Sequence, residues 1–164
     1  MQLEIPIGTI AAVMSIARKN NQKIVLNPAP AQKLEDDLLR GLFLITPNET
    51  EASLLTGINV IDETTAAAAA SEFLKKGVQH VIITLGKQGA YFQNATMKLM
   101  IEAPAVTAKD TTAAGDTFSG AITVAITENM NWEQAIKFAV EAASISVTRM
   151  GAQSSIPWRM ELSL

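Results

Sequence analysis

The sequence predicts an α/β fold in which helices cover both faces of a mostly parallel sheet. Short apolar segments alternate with longer segments of helical periodicity along the 164 residues. Residues 81–85 form the clearest strand, continuous and apolar, as expected for a strand buried on both faces. No linker or internal repeat interrupts the alternation, so we expect a single domain over residues 1–164.

The first four elements are predicted to alternate between helix and strand. Residues 7–18 have the spacing of an amphipathic helix, and residues 23–27 follow as a short buried strand. Residues 34–42 are predicted to form a second helix, which leads directly into a strand at residues 43–45. Two helix–strand units therefore open the chain.

Two helices with defined ends precede the strand at residues 81–85. A short helix over residues 49–55 is closed by Gly57, because glycine readily takes the left-handed conformation of a C-cap. Residues 63–76 include five consecutive alanines, which favour a close-packed helix, and Gly77 ends it. The rest of the chain is predicted to form a hairpin and two long helices: residues 90–93 with 97–101, then 114–128 and 132–148.

Composition argues against several classes of function. The formal net charge is −3 and the Lys and Arg residues are dispersed, which gives no electrostatic surface for nucleic acid. No apolar run approaches the ~20 residues of a membrane span, and the N-terminal residues lack the layout of a signal peptide. The sequence has no cysteine and one histidine, His80, which excludes disulfides and argues against a zinc site. We expect a cytoplasmic protein, with His80 at the surface where a strand begins.

The most informative segment is residues 109–121, where two acidic residues flank a run of small ones. Residues 106–108 are expected to end a strand, and helical periodicity follows Asp116. Residues 113–115 would then lie in a first helical turn, whose free N–H groups and positive dipole favour an anion. A carboxylate at Asp116 would repel bound phosphate, which makes sense if it is the base that activates an attacking hydroxyl. The alternative is that Asp116 caps an ordinary helix.

Polar residues directly follow three of the predicted strands, beginning at Asn27, Thr46 and Thr84. Because the carboxyl ends of parallel strands lie along one edge of an open sheet, we expect these segments to form one ligand-binding edge. Each segment alone has a structural interpretation, since Asn-Pro and Thr-Pro pairs form turns and Asn48 or Thr46 can cap the next helix. Their common placement favours a site.

Asn48 and Glu51 are three residues apart and can share one face of the first turn of a helix. An amide and a carboxylate in that position suit the hydrated Mg²⁺ that accompanies ATP. The alternative is a simple helix start, at which the dipole favours acidic residues. Lys87 follows Gly86, but the spacing of a Walker A loop is absent, so we expect Lys87 to face solvent.

Five sequence blocks, in order, span nearly the whole chain. They are Asn-Pro-Ala-Pro-Ala at 27–31, Thr-Pro-Asn-Glu-Thr-Glu-Ala at 46–52, Thr-Leu-Gly-Lys-Gln-Gly at 84–89, Asp-Thr-Thr-Ala-Ala-Gly-Asp-Thr-Phe at 110–118, and Gly-Ala-Gln at 151–153 before Pro-Trp-Arg at 157–159. In content and order they resemble the ribokinase-like carbohydrate kinases. The resemblance implies a three-layer α/β/α sandwich with a mostly parallel sheet.

The resemblance also implies an activity, namely transfer of the γ-phosphate of ATP to a sugar hydroxyl. Ribose is the expected substrate, with deoxyribose or another furanose as the runner-up. By resemblance, Asp116 is the base, and it is assisted by the backbone amides of Ala113, Ala114 and Gly115. The positions that match the family's nucleotide site are Asn48, Glu51, Thr84, Gly86, Gly89 and Gly115, with Asn48 and Glu51 near Mg²⁺. Glu4 and Asp116 match positions that contact the sugar.

A monovalent cation, usually K⁺, activates the closest members of this family. The matching positions are Asp110 and Thr112, with a side-chain oxygen from Ser155 and main-chain carbonyls from Ser146, Arg149 and Gly151. A carboxylate surrounded by carbonyl oxygens suits a hard cation. The alternative is that Asp110 only ends a strand and Ser155 lies in a mobile tail.

The resemblance covers only the C-terminal, nucleotide-binding part of a kinase near twice this length. The sugar-binding Asp, the Gly-Gly-Asn motif and the β-sheet lid of the family's N-terminal half have no counterpart in this sequence. The sheet is therefore expected to lack its N-terminal strands and to expose an edge, which favours a homodimer or else leaves the fold marginally stable. Two alternatives to an active kinase are a catalytically inactive, truncated fragment that at most binds nucleotide, and an unrelated α/β binding module. The ordered blocks argue against the second.

Overall fold

A computed structural model describes residues 1–163. The backbone packs as two compact units. The first contains Met1–Leu85 and Tyr91–Leu99, and the second contains Gly86–Ala90 and the described residues from Met100 onward. Each unit is described separately, and the assignment of a single domain to residues 1–164 stays a prediction.

The described residues form six α-helices and five strands. The helices are α1 Ile7–Lys19, α2 Asp36–Leu39, α3 Glu49–Thr56, α4 Glu63–Lys75, α5 Ala114–Thr127 and α6 Trp132–Ser146. The strands are β1 Val25–Leu26, β2 Leu44–Ile45, β3 His80–Thr84, β4 Ala90–Asn94 and β5 Lys98–Ile101. Three short 3₁₀ helices cover Gly86–Gln88, Gln153–Ser155 and Arg159–Glu161. Except for α2 and residues 106–108, the predicted elements are found within a few residues of their expected ends.

The strands form one mixed sheet in the order β1-β2-β3-β4-β5. The first three are parallel, with Val25 opposite Leu44 and Leu44 opposite His80. The chain then turns at residues 95–97 to form the β4–β5 hairpin, in which the N–H of Asn94 donates to the carbonyl of Met97 at 3.0 Å. The predicted α/β fold, parallel in its first strands and closed by a hairpin, is confirmed.

The core of the first unit lies between the sheet and two helices. Val81, Ile82 and Ile83 of β3 are fully buried, which explains why this strand is apolar on both faces. Helices α3 and α4 pack on β3 and on each other. The alanine run contributes Ala66, Ala69 and Ala70 to the buried face of α4, and their small side chains permit close packing. The second unit is built around α5 and α6, which pack along each other.

Two predictions of secondary structure are wrong. Helix α2 is a single turn rather than a helix over residues 34–42, because Arg40 is extended and Gly41 has a φ of +75°. The turn is instead closed by Arg18 of α1, whose guanidinium donates to the carbonyls of three α2-end residues: Asp37 at 3.2 Å, Leu38 at 3.3 Å and Arg40 at 2.7 Å. A positive charge at the carboxyl end of a helix is favourable.

Residues 106–108 do not end a strand. They run outside the sheet, and the Val106 side chain is 46% exposed. The N–H groups of Lys109 and Asp110 that follow both donate to the carbonyl of Val147 just beyond α6, at 2.7 and 3.2 Å. The segment therefore finds its backbone partner at a helix end rather than in a strand ladder.

His80 begins β3 as expected, but it is half-buried rather than at the surface. Its ring lies 4.8 Å from the Phe43 ring and 6.1 Å from the Phe92 ring, and Nδ1 is 3.3 Å from the Asn94 amide nitrogen. Burial, and secondarily the positive charge of Lys23, lower the pKa of His80 below its usual value. Protonation of His80 is therefore less favourable in the folded protein than in the unfolded chain.

We expect the stability of the protein to fall as the pH is lowered through and below the normal histidine pKa of about 6.5. Below that pH the unfolded chain binds a proton that the folded protein resists, so the His80 contribution is complete above pH 6.5 and declines as pH falls toward the folded pKa. Urea unfolding at pH 7.5 and 5.5 measures this loss, which should be smaller in His80→Gln. Equal losses in parent and variant would contradict the assignment to His80.

Candidate functional site

The carboxyl edge of the parallel strands gathers the polar residues predicted to lie there. The N–H of Thr46 donates to the carbonyl of Leu26 at 2.9 Å, which places the ends of β1 and β2 side by side. Asn48 and Thr84 form a parallel bridge, and the N–H of Thr84 donates to the carbonyl of Pro47 at 3.0 Å. Asn27 and Thr46 are 6% and 4% exposed. The predicted edge is therefore formed within the first unit.

Glu4 lies next to the same edge. The N–H of Asn27 donates to the carbonyl of Met1 at 2.9 Å, and the N–H of Leu3 donates to the carbonyl of Ala29 at 2.8 Å. Residues 1–3 thus run alongside the segment that leaves β1. Glu4 follows directly and its side chain is exposed, so its carboxylate is available at this edge.

Asn48 and Glu51 form a reciprocal capping box at the start of α3. Asn48 Oδ1 accepts from the Glu51 N–H at 2.9 Å, while Glu51 Oε2 accepts from the Asn48 N–H at 2.9 Å and Glu51 Oε1 from Asn48 Nδ2 at 3.0 Å. The helix-start interpretation is therefore correct for both residues, and Glu51 is only 6% exposed. Because Glu51 is buried within this capping box, it fits a contact with a metal-bound water rather than direct ligation.

The loop after β3 begins with the exposed 3₁₀ helix Gly86–Gln88, which includes Lys87. Lys87 faces solvent, as expected. Gly89 follows with a φ of +113°, and a Cβ atom there would lie 1.9 Å from the carbonyl oxygen of Ile101. Backbone packing within the second unit therefore gives an independent reason for glycine at position 89.

The N-terminus of α5 is open. Ala113 is the N-cap residue, so the first turn consists of Ala114, Gly115 and Asp116. The Ala113 side chain provides no capping hydrogen bond. Asp116 is thus the third helical residue, and the interpretation of Asp116 as the capping residue is wrong. Gly115 and Asp116 are exposed, and no atom lies within 4 Å of the position that a Gly115 Cβ would occupy. The Ala114 N–H already donates to the Thr111 carbonyl at 3.2 Å, so the backbone most open to an anion is that of Gly115.

Asp110 ties the segment before α5 to the segment after α6. Its Oδ1 accepts from the Thr112 hydroxyl at 2.6 Å and the Thr112 N–H at 3.0 Å, and Oδ2 accepts from the Gly151 N–H at 3.0 Å. These hydrogen bonds, those from Thr112 first, lower the pKa of Asp110 below its usual value. Asp110 is therefore a carboxylate at neutral pH, close to the negative end of the α6 dipole.

The other oxygen atoms predicted for a monovalent cation lie at Ser146, the last residue of α6, and in the segment that follows it. The Ser146 carbonyl accepts from the Arg149 N–H at 3.1 Å, and the Ser155 hydroxyl donates to the Ala152 carbonyl at 2.7 Å. The Arg149 guanidinium is paired with Glu161 at 2.5 Å, so its charge is compensated. Asp110, Thr112 and Gly151 are brought into direct contact, and the carbonyl oxygens retain a second lone pair for a cation.

Glu161 was not identified from the sequence. Its carboxylate holds the Arg149 side chain and also accepts from the Trp158 N–H at 2.7 Å. The two charges are twelve residues apart and do not share a helix or strand, so no local spacing rule indicates the pair.

The described part of the chain was searched for clusters of metal-binding side chains and for helices that could span a membrane. Residues 1–163 contain no group of three or more His, Cys, Asp or Glu side chains placed to hold a metal ion. Among the helices described, none is long and apolar enough to span a membrane.

Comparison with known proteins agrees with the family resemblance that the five sequence blocks indicate. A family model described as pfkB family carbohydrate kinase matches residues 1–159. The ribokinase of Haemophilus influenzae is 51% identical over 161 residues, which are 98% of this chain and 53% of that protein. The chain thus spans about half the length of the curated relatives it matches.

Solved structures confirm the fold. The ribokinase of Thermotoga maritima is 41% identical, with a TM-score of 0.85 over 98% of this chain and 53% of that one. The ribokinase of Arabidopsis thaliana, solved with ribose and ATP, is 32% identical, with a TM-score of 0.91 over 97% of this chain and 52% of that one. The ribokinase-like α/β fold predicted from the sequence is therefore correct.

Proposed function

Because the chain belongs to the pfkB family of carbohydrate kinases, we propose that it provides the phosphoryl-transfer part of an ATP-dependent kinase that acts on ribose. The observation that supports this most directly is the first turn of α5, where Gly115 and Asp116 are exposed and the N-cap residue Ala113 provides no side-chain cap. The N-cap residue Ala113 offers no side chain to the first-turn amides, whereas α3, α4 and α6 are capped by Asn48, Asp62 and Asn131. The identity and coverage of the relatives support the sugar, since several of them are ribokinases.

In the proposed reaction Asp116 accepts the proton of the 5-hydroxyl of ribose as that oxygen attacks the γ-phosphorus. A new oxygen–phosphorus bond forms, and the bond to the bridging oxygen of ADP breaks. The amides of Ala113, Ala114 and Gly115 stabilise the charge on the transferring phosphoryl oxygens. The proposed step requires a carboxylate oxygen of Asp116 to accept the proton, and the Asp116 side chain is exposed.

Nucleotide contacts are assigned to the carboxyl edge of the first unit and to the segment that follows it. Asn48 and Thr84 meet at the ends of adjacent strands, and Glu51 fixes the Asn48 amide through the capping box. When bound, Mg²⁺ would neutralise phosphate charge, and Glu51 would orient one of its waters. Gly86 extends the set by leaving the backbone after β3 accessible. Gly89 remains in the proposed nucleotide-binding set, although backbone packing already requires glycine at this position.

The residues proposed to bind the monovalent cation and the sugar are also assigned from the positions that match the family. When bound, K⁺ would add positive charge near the anion-binding turn. Asp110, Thr112 and Ser155 would offer side-chain oxygens to it, and Ser146, Arg149 and Gly151 would offer carbonyls. Glu4 would accept a hydrogen bond from a sugar hydroxyl, an interaction that a deoxyribose lacking that hydroxyl could not make. These roles, the cytoplasmic location and the homodimer remain predictions.

Calorimetric titration with Mg-ATP in potassium buffer tests the nucleotide assignment. We expect binding by the parent and about tenfold weaker binding by Asn48→Ala, the loss typical of one hydrogen bond to a charged group. Asp62→Ala is the matched control, because Asp62 forms the same kind of capping box at α4 and is exposed. Both variants should lose about 0.5–2 kcal/mol of stability. Equal ATP affinity in the two variants would contradict the role of Asn48.

A second pair tests the amides at the start of α5. Gly115→Val should weaken Mg-ATP binding at least tenfold, because a side chain would occupy the space that a phosphate oxygen needs. Gly120→Val is the control, since Gly120 is exposed on the same helix and a Cβ atom there would also meet no neighbour within 4 Å. Absence of ATP binding by a folded parent would overturn the proposal.

The alternative, a chain that binds nucleotide without kinase activity, is favoured by one observation: the match covers only 53% of the most similar relatives described above. Ribose turnover measured beside the titration separates the two functions. Binding with no ADP formation in the presence of ribose would identify the alternative.

A further inference from the structure

The backbone turn that follows α6 is held against the segment before α5. The Val147 carbonyl accepts from the N–H groups of Lys109 and Asp110 at 2.7 and 3.2 Å, and the Gly151 N–H donates to Asp110 Oδ2 at 3.0 Å. Arg149 lies between Val147 and Gly151 in this turn. A side chain with a permanent positive charge therefore belongs to the same few residues whose oxygen atoms are proposed to bind K⁺.

The positive charge of Arg149 is paired with Glu161. Arg149 Nη2 lies 2.5 Å from Glu161 Oε1, and Arg149 Nη1 lies 3.4 Å from Glu161 Oε2, so both terminal nitrogens of the guanidinium meet the carboxylate. The two side chains are 35% and 34% exposed. Glu161 Oε2 also accepts from the Trp158 N–H at 2.7 Å, which fixes the carboxylate within its own turn. The guanidinium is therefore held at a defined place.

The segment that carries Glu161 is attached to the helices by further side-chain contacts. Two of these contacts flank Glu161, namely Arg159 with Glu128 at the C-cap of α5 at 3.2 Å, and Ser163 with Glu141 of α6 at 2.7 Å. Removal of the Glu161 carboxylate would leave both of these contacts in place. Its main effect would then be the loss of the partner of the Arg149 guanidinium.

We propose that Glu161 is a positioning residue of the cation site, because it holds the Arg149 guanidinium and so prevents it from competing with a monovalent cation for Asp110. A free guanidinium at residue 149 would be on a flexible stem within the same turn, where Asp110 is the carboxylate available to it. Its charge would also repel a cation bound to the neighbouring carbonyls. Glu161 has this role only if the turn binds the cation assigned to it under the proposed function.

Binding of the thallous ion, a spectroscopic substitute for K⁺, provides the test. Thallium NMR of the chain in nitrate buffer measures binding directly, without nucleotide, sugar or turnover. We expect the parent to bind the ion and Glu161→Gln to bind it about three- to fivefold more weakly, the effect of one unpaired surface charge. Glu141→Gln is the matched control, because Glu141 anchors the same segment through Ser163 rather than through Arg149.

The double variant Arg149→Gln/Glu161→Gln separates positioning from structural support. It removes the guanidinium together with its partner, so no unpaired positive charge is left in the turn. Its affinity for the thallous ion should return to within about twofold of that of the parent. If Glu161 only supported the fold, the double variant would bind the ion no better than Glu161→Gln. Far-ultraviolet circular dichroism verifies that each variant folds.

Three results among the variants would overturn the proposal: parental affinity in Glu161→Gln, an equal loss of affinity in Glu141→Gln, and no recovery in the double variant. Absence of thallous binding by the folded parent would also overturn it. The Mg-ATP titration described for the proposed function distinguishes the two failures. A parent that binds Mg-ATP but not the thallous ion keeps the nucleotide assignment and loses the cation site, and the reverse result loses only the nucleotide assignment.

Discussion

Asp116→Asn is expected to reduce phosphoryl transfer to ribose by a factor of ~10²–10⁴, the usual contribution of a general base. The amide cannot accept the hydroxyl proton, whereas the open first turn of α5 still presents its amides to phosphate. Mg-ATP should bind the variant at least as tightly as the parent, because a negative charge near the γ-phosphate is removed. Coupled measurement of ADP formation gives kcat, and calorimetry gives the affinity for ATP.

Glu102→Gln is the control for this experiment. Glu102 lies in the second unit and is exposed, and it has no proposed role in nucleotide or sugar binding. Glu102→Gln removes one negative charge, as Asp116→Asn does, so a general effect of net charge would appear in both variants. Retention of full turnover by Asp116→Asn would contradict the assignment of the base. A parallel loss of ATP binding would instead indicate that Asp116 organises the helix start.

Gly89→Ala is expected to destabilise the second unit by at least about 3 kcal/mol. A non-glycine residue at a φ of +113° is strained, and the new Cβ would also lie 1.9 Å from the Ile101 oxygen and 2.8 Å from the Ala103 nitrogen. Because both contacts are with backbone, a side-chain rotation cannot relieve them. Urea unfolding followed by tryptophan fluorescence measures the loss, since Trp132 and Trp158 both belong to the second unit.

Gly120→Ala is the matched substitution for Gly89→Ala. Gly120 lies within α5 at a position where a Cβ meets nothing within 4 Å, so alanine should stabilise the helix by up to about 1 kcal/mol. The two glycine-to-alanine changes should therefore move the unfolding midpoint in opposite directions. A Gly89→Ala protein with the stability of the parent would show that residues 101–103 can move away at little cost.

The sequence predicts most of the local structure because the relevant signals are short-range. The apolar run at residues 81–85 defines β3 to within one residue, and Gly57, at a φ of +76°, ends α3 in the conformation expected of a glycine C-cap. The three polar strand ends predict the binding edge, since parallel strands necessarily end together. The small residues around Gly115 predict the open helix start, although only the structure identifies Ala113 rather than Asp116 as the N-cap residue.

The features that the sequence does not predict correctly depend on contacts between residues far apart in the chain. Helix α2 has the composition for a longer helix but ends after one turn, where Arg18, about twenty residues earlier, takes its carbonyls. Residues 106–108 have the composition of a strand end, yet the residues after them bond to Val147 beyond α6. The sequence also allowed two roles for Glu51, a helix cap and a residue of a metal site. The hydrogen bonds between Glu51 and Asn48 show the capping role.

By itself the sequence determined the α/β class, the order of the elements and the positions that carry the candidate chemistry. These follow from periodicity, glycine and proline placement and the five blocks, all of which act over a few residues. Only the tertiary structure decided where α2 stops, why residue 89 must be glycine, and how Asp110 joins Thr112 to Gly151. Each of these depends on atoms brought together from distant parts of the chain, and local propensity contains no information about them.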